Sequence, residues 1–480
     1  GEDGFDMWKY CEFYCKQDVE ILKQGYLAFR DQAIAEFGFD VLDILSAPGL
    51  AHQYFTEKVY SNPNIKAYSG VIDAFIREGI RGGRCMMAFN QKWKLEGCKL
   101  CDFDARSLYP SAMARLTLPY GCPKVLKKDE LNIEFLSKQD CYVIEIEIQP
   151  LAIHRAFPPF VVRDENGNHN SDTFTTPIRE IVSPYGLQDR LLGYPEMKYT
   201  ILRGYYWNEG VDTTIQDAIK YVYKRRRELK EEGNPAQELY KLIMNSAYGK
   251  CIQKVIETTT TFVPDSKHDE FFIRNYNFIK ESTQICGSNT NMVELFQAIN
   301  KEYRYSLNGL LILDMSKLIM DEVMFLAEEI GCKIYYTDTD SMHIRADDIP
   351  ILSEMYSAVY DRELIGSELG QFHSDFDAAG MDEESTVSVD AMFLAKKIYI
   401  DHLTDKNGQE GYHFRMKGIS QSVVKATAND FGGLWQLYTF LYDNPVGVNF
   451  DLLRTGGVSF KYLKDGTISS RTAFTRCVKC

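Results

Sequence analysis

The chain has 480 residues, 45% hydrophobic and 13% aromatic, a composition that supports packed globular structure and excludes a disordered chain. Lys and Arg number 54 against 68 Asp and Glu, and the resulting net charge of −14 argues against non-specific nucleic-acid binding over the whole surface. A local basic groove remains compatible with it. No apolar run approaches the roughly 20 residues needed to span a bilayer, so no membrane partner is expected.

The sequence opens at Gly1 without a signal peptide and reads as a fragment or processed product. Twelve cysteines without a framework suggest an intracellular, reducing compartment. Cys98/Cys101 and Cys477/Cys480 form C-x-x-C pairs, but each supplies only half of a structural zinc site, and reduced thiols are the default expectation.

Taken in chain order, residues 1–30 predict a helix, because Tyr10, Tyr14, Asp18, Ile21 and Leu22 recur at helical spacing. A second helix is expected over about 51–60, followed by the turn "SNPN" and by the paired glycines of "IRGGRC". "GCKLCDFDARSLYPSAMARL" reads as strand, turn and helix, with Pro110 opening the helix. The irregular stretch from Gly121 to about Gly210 reads as an inserted β-rich subdomain. Residues 215–249 predict an antiparallel helical hairpin, its second helix capped by Asn234, started by Pro235 and stopped by Gly249. A β-hairpin is expected next, in "IETTTTFVPDSKHDEFFIRNYNFIKESTQI". A helix near 310–330 then leads into "YYTDTDSMHI", and mixed strand and helix follow from about 390.

Three stretches carry chemistry. In "YYTDTDSMHI" two carboxylates, Asp338 and Asp340, interrupt a β-prone, apolar run, where they repel each other and lose hydration unless a cation lies between them. The alternative is a hairpin with an acidic tip. In "DFDARSLYP", Asp104 ends a strand beside amides at a helix start, a place that suits anions. The alternative there is an Asp–Ser turn capping a helix.

On the second hairpin helix Lys241, Asn245 and Tyr248 share one face, offering a cation, an amide and an aromatic ring, as a triphosphate with a flat base requires. Lys224, Arg225, Arg226, Arg227 and Lys230 extend the cationic wall, unless they form a solvated helix face. Asp104, Asp338 and Asp340 together make an all-oxygen site suited to Mg²⁺. Two ions roughly 3.5–4 Å apart there would serve in-line phosphoryl transfer. The eight histidines look dispersed and offer no competing cluster.

"DARSLYP", "KLIMNSAYG" and "YTDTDS" resemble, in order, the family B DNA polymerase motifs D-x-x-S-L-Y-P, K-x-x-x-N-S-x-Y-G and Y-x-D-T-D-S. The resemblance implies an α+β right-hand fold and a DNA-directed DNA polymerase adding deoxynucleotides to a primer 3′-hydroxyl. Primer–template DNA and deoxynucleoside triphosphates are the implied partners, and two Mg²⁺ ions, replaceable by Mn²⁺, the implied cofactors. By similarity Asp104 and Asp340 are the principal metal ligands and Asp338 a supporting carboxylate. The amides of Ser107 and Leu108 hold the triphosphate, and Tyr109 lies under the sugar and excludes a 2′-hydroxyl. Lys241 contacts phosphates, with Arg227 and Lys230 adding to the nucleotide wall, while Asn245 and Tyr248 shape the pocket.

Lys397 and Tyr399 in "KKIY" resemble K-x-Y and would share one strand face, gripping the primer end. Gly82, Gly83 and Arg84 resemble Y-x-G-G, a template contact, with Ile80 where the family has tyrosine. Tyr14 and Asp18 in "YCKQDVEIL" resemble Y-x-x-x-D, the third motif of a 3′–5′ exonuclease. Without the earlier exonuclease motifs the chain is expected to polymerise without proofreading.

The expected divisions are an exonuclease remnant over 1–30, a connecting segment over 31–80, and palm over 81–121 and 296–400. Insertions fall at 122–214 and 251–295, the fingers at 215–250 and the thumb at 401–480. Two insertions flanking the fingers resemble the protein-primed branch of phages, adenoviruses, linear plasmids and transposons, which implies a terminal protein as a further partner. The alternative is a catalytically silent DNA-binding or scaffold relative. A reverse transcriptase fits less well, since Thr339 separates the two aspartates that it carries adjacent.

Overall fold

Helix Ser306–Glu329 is apolar on nearly every side and buried along most of its length, as a helix without a polar face must be. The computed structural model describes residues 6–42, 44, 46–163, 169–254, 258–297, 304–376, 380–382, 385–456, 459–462, 468–471 and 474–480. Residues 1–5 of the expected first helix and Ile256 and Glu257 of the expected hairpin lie outside them.

Helices Gly70–Gly79, Leu108–Met113, Pro184–Gly193 and Gln237–Ile252 pack around this central helix. Its few buried acids are each answered. Asp314 accepts from the Ser183 hydroxyl at 2.8 Å, Asp321 pairs with Arg84, and Glu322 receives Arg115 at 3.2 Å and Arg362 at 2.9 Å. A buried acid that lost such a partner would leave an uncompensated charge, so these pairs fix how the helix seats.

The helix leads into a nine-stranded antiparallel sheet. Its order is Cys85–Met87, Ile334–Asp338, Ser341–Arg345, Leu100–Ala105, Val387–Ala395, Ile398–Thr404 and Glu410–Met416. Phe372–Ser374 also pairs with Leu100–Ala105, and Trp93–Leu95 with Val387–Ala395. The main hydrophobic core lies between this sheet and the helices. A second core sits where Val387–Ala395, Ile398–Thr404 and Glu410–Met416 meet helices Gln421–Ala428 and Leu434–Asp443. The inserted subdomain has its own core around a four-stranded sheet of Lys124–Val125, Tyr199–Trp207, Cys141–Ile148 and Ile178–Val182.

Several boundaries differ from expectation for identifiable reasons. The first helix runs Met7–Phe37, held by Asp6 at its start and ended by Gly38 at φ 80, so it crosses the expected 30/31 division. Helix Ala47–Phe55 starts earlier than expected and continues as a wide helical turn, Thr56–Tyr60. The hairpin helices are Thr214–Glu231 and Gln237–Ile252. Gly249 does not stop the second, because buried Ala247 and Cys251 carry it past the glycine. Pro110 sits in the first turn of Leu108–Met113 rather than opening it, a position where its missing N–H costs little.

The expected second hairpin is instead a three-stranded sheet of Thr258–Pro264, Thr290–Phe296 and Ile279–Gln284, with helix Asp265–Asn275 inserted. The expected 400/401 division falls inside strand Ile398–Thr404. No helix among the described residues is long and apolar enough to cross a membrane.

Candidate active site

The site forms where strands Leu100–Ala105, Ile334–Asp338 and Ser341–Arg345 lie side by side. The antiparallel ladder sets Asp338 opposite Ser341 and Ser341 opposite Asp104, so register alone draws the two acidic segments together. Thr339 and Asp340 form the two-residue turn, with Thr339 at φ 69, a left-handed conformation that a β-branched residue seldom adopts. Three backbone bonds hold it. The Thr339 N–H donates to Arg84 O at 2.7 Å, the Asp340 N–H to Asp338 O at 2.8 Å, and the Ala105 N–H to Asp340 O at 2.8 Å. Gly83 backs the turn so closely that a Cβ there would stand 2.7 Å from Thr339 Cγ2.

Asp104, Asp338 and Asp340 line one cavity of about 900 Å³, together with Asp102, Asp375 and Lys397. Burial, then Asp340, Asp375 and Asp102, push the Asp104 carboxyl up to about 8. Burial, with Asp338 and Asp102 adding to it, raises Asp340 to about 6, against its own backbone amide and Lys397. Asp338 is ion-paired to Lys397 at 3.1 Å. Two carboxyls raised in this way, by burial and by their acidic neighbours, mark a site short of positive charge. An all-oxygen donor set with that deficit fits a hard divalent cation such as Mg²⁺.

Beside the acids stands an aromatic wall. Tyr109, in the first turn of Leu108–Met113, stacks on Tyr248 with ring centroids 4.5 Å apart. Burial and then the charge of Asp340 raise the Tyr109 hydroxyl pKa, which ties this wall to the acidic turn. Ser107 precedes the helix at φ 52, and the Leu108 side chain is buried beneath it. Lys241 and Asn245 are exposed on the helix face that carries Tyr248.

Other expected residues are placed differently. Arg227 pairs with Glu368 and lines a separate cavity of about 650 Å³, Lys230 is exposed, and neither is among the residues lining the acidic cavity. Arg84 is turned inward: its side chain is 8% exposed, pairs with Asp321 and donates to Phe157 O at 2.6 Å, so it cannot reach a template. The buried acid of the central helix outcompetes solvent for it. Gly82 is exposed and Gly83 serves the turn.

Lys397 and Tyr399 do not share a strand face. Lys397 occupies the connection at φ 59, and Tyr399 is 5% exposed, its ring packed near Tyr336 and His343. Both line the acidic cavity. Tyr14 and Asp18 lie exposed along helix Met7–Phe37, and among the described residues Asp18 belongs to no metal-capable group.

Sequence reasoning missed Asp102, Asp375, His343 and His413. The histidines are not dispersed: His343 and His413 meet Asp102 in one group, with ligand atoms within 4.8 Å of one another. Strand alternation was the available signal, since Asp102 precedes Asp104 by two residues and His343 follows Ser341 by two. No cysteine belongs to that group, and all twelve are free thiols.

The profile of the family described as DNA polymerase type B, organellar and viral, matches residues 2–325. A DNA polymerase of Kluyveromyces lactis is 24% identical over 75% of this chain and 35% of its own length. The DNA polymerase of Streptococcus phage Cp-1 is 22% identical over 84% of this chain and 61% of its own. The chain thus spans less than two thirds of either relative. In structure it is similar to Phi29 DNA polymerase complexed with primer–template DNA and incoming nucleotides, with a TM-score of 0.65 at 16% identity. That match covers 99% of this chain and 73% of the Phi29 chain, and at such identity the likeness is one of fold.

Proposed function

The chain belongs to the type B DNA polymerases of the organellar and viral kind, and from that membership we propose that it is a DNA-directed DNA polymerase. The reading rests on one observation above others: Asp104, Asp338 and Asp340 line a single cavity, where burial and then neighbouring carboxylates raise Asp104 and Asp340. Asp104 and Asp340 would hold two Mg²⁺ ions, with Asp338 in support. When bound, these supply the acidity that ionises a primer 3′-hydroxyl and the charge that stabilises the transferred phosphoryl group and the departing pyrophosphate.

The chain's own side chains do the rest. Tyr109, held against Tyr248, forms the floor under the incoming sugar and excludes a 2′-hydroxyl. The amides of Ser107 and Leu108, with Lys241, take the triphosphate, and Asn245 completes the pocket for the nascent pair. Lys397, beside Asp338, grips the primer end. The two helices Thr214–Glu231 and Gln237–Ile252 act as fingers, the nine-stranded sheet as palm and the segment after Met416 as thumb.

The two inserted sheets, one on either side of the fingers in sequence, favour the protein-primed branch. In that mode the first acceptor is a hydroxyl of a terminal protein.

Single-nucleotide addition tests the reading. Each deoxynucleotide is offered alone with Mg²⁺ and a primed template. Addition of only the complementary one, lost in Asp104→Asn, is expected. A folded chain that binds the DNA yet adds none of the four is a silent binding module instead.

A further inference from the structure

Below the aspartates, the floor of the cavity carries a second set of ligands. Asp102 and His343 are direct partners across adjacent strands, and His413 comes from strand Glu410–Met416. Asp102 is 6% exposed and His343 is completely buried. His343 Nε2 lies 3.2 Å from Oδ2 of the buried Asp401. A carboxylate can only accept, so in the neutral ring Nε2 carries the hydrogen and Nδ1 presents a lone pair. That is the arrangement by which a carboxylate orients a metal-ligating histidine from behind.

The front of the group is unsatisfied. His343 Nδ1, Asp102 Oδ1 and His413 Nδ1 are buried atoms with no hydrogen-bond partner. Buried polar atoms rarely stay unpaired, so these three need an explanation: the three residues bring ligand atoms within 4.8 Å of one another, and His413 Nδ1 lies 3.8 Å from Asp401 Oδ2. His343 Nδ1 and Asp102 Oδ1 are 3.8 Å apart, too far for a hydrogen bond. Two ligands bonded at about 2.0–2.1 Å to one tetrahedral ion stand about 3.4 Å apart, so this pair needs a closure of a few tenths of an ångström, while His413 has to close from within 4.8 Å. His413 is held neutral, since burial pushes it down to about 4. Asp102 and His413 both line the cavity, which gives an ion a way in.

We propose that Asp102, His343 and His413 bind one divalent transition-metal ion of the Zn²⁺ type beneath the catalytic carboxylates, with Asp401 orienting His343. Two imidazoles and a carboxylate favour Zn²⁺ or Co²⁺ over Mg²⁺, so this ion is chemically distinct from those of the polymerase site. It would cross-link strands Leu100–Ala105, Ser341–Arg345 and Glu410–Met416 and set a positive charge behind Asp104. The rival arrangement is an imidazolium: burial lowers His343, but Asp401 and Asp102 outweigh it and raise the ring to about 9.

The test uses the whole chain, stripped with a chelator and titrated with Co²⁺ in excess Mg²⁺, following visible absorption. One Co²⁺ per chain is expected, in the parent and equally in Asp104→Asn/Asp340→Asn. His413→Ala should remove it, and Asp401→Asn should weaken it by about 10- to 100-fold. Absence of the band in the parent overturns the proposal. So does a band that survives His413→Ala but vanishes with Asp104→Asn/Asp340→Asn, which puts the ion in the polymerase site. Histidine ¹⁵N spectra of the unmutated chain avoid any folding defect of the variants. Zn²⁺ should shift His343 Nδ1 and a His413 ring nitrogen to metal-bound values, and a His343 imidazolium unchanged by saturating Zn²⁺ contradicts the site.

Discussion

The ring of Tyr109 lies on the ring of Tyr248, centroids 4.5 Å apart and planes 18° apart. The stack joins the turn after Asp104 to the helix that presents Lys241 and Asn245. A ring backed in this way is placed to act as a floor for a sugar. Tyr109→Val should therefore weaken discrimination against ribonucleotides. Loss of one pocket contact of about 1–3 kcal/mol corresponds to about a 10- to 200-fold fall in the ratio of kcat/KM for deoxy- over ribonucleotides. An unchanged ratio in single-nucleotide kinetics would show that Tyr109 does not face the 2′-position.

Lys397 pairs with Asp338 at 3.1 Å while its side chain remains half exposed. It is thus placed to touch both a carboxylate and a primer phosphate. Lys397→Gln should raise the primer–template concentration needed for half-maximal extension and reduce the salt dependence of DNA binding by about one unit of slope, the mark of one lost phosphate contact. A slope identical to the parent's would confine Lys397 to its pairing with Asp338.

Gly83 leaves no room behind Thr339, since a Cβ would come within 2.7 Å of its Cγ2 and 3.3 Å of its Cα. Gly83→Ala should push the acidic turn out of register with Asp104. Overpacking of this kind costs about 1–3 kcal/mol, so the melting temperature should drop and Mg²⁺-dependent extension should fall with it. Full activity with unchanged melting would mean that the turn tolerates displacement.

The burial of the acids, with their crowding, also predicts a pH dependence of stability. Asp104 is raised to about 8 and Asp340 to about 6, so both bind a proton more tightly in the folded chain than in the unfolded one. The stability they contribute is present below the unfolded value of about 3.9 and is lost as pH rises through about 6 and then about 8. In metal-free buffer the melting temperature of the parent should therefore decline over that window relative to Asp104→Asn. Mg²⁺ should restore more at pH 8 than at pH 5. A difference between parent and variant that stays flat with pH contradicts the raised carboxyls.

The motifs were legible because their residues act locally. Lys241, Asn245 and Tyr248 needed only helical spacing to share a face, and Asp338 and Asp340 needed only the strand propensity of their flanks. What depended on distant packing was not legible. Arg84 looked like a template contact, but Asp321, far along the chain in the buried helix Ser306–Glu329, draws it inward. Gly249 looked like a helix stop until the burial of Cys251 carried the helix past it. Helix Asp265–Asn275 hid inside a stretch whose "EFFI" run reads as strand. The meeting of Asp102 and His343 with His413 required the pairing of strands across the sheet, which no local pattern states.

Primer extension with Mg²⁺ on a primed DNA template, comparing the parent chain with Asp340→Asn, bears most directly on the polymerase reading. A polymerase built on these aspartates extends the primer with deoxynucleotides, and Asp340→Asn abolishes extension while DNA binding is kept. Equal extension by both chains would remove Asp340 from the chemistry. A folded parent chain that binds primer–template DNA and extends nothing would contradict the activity itself.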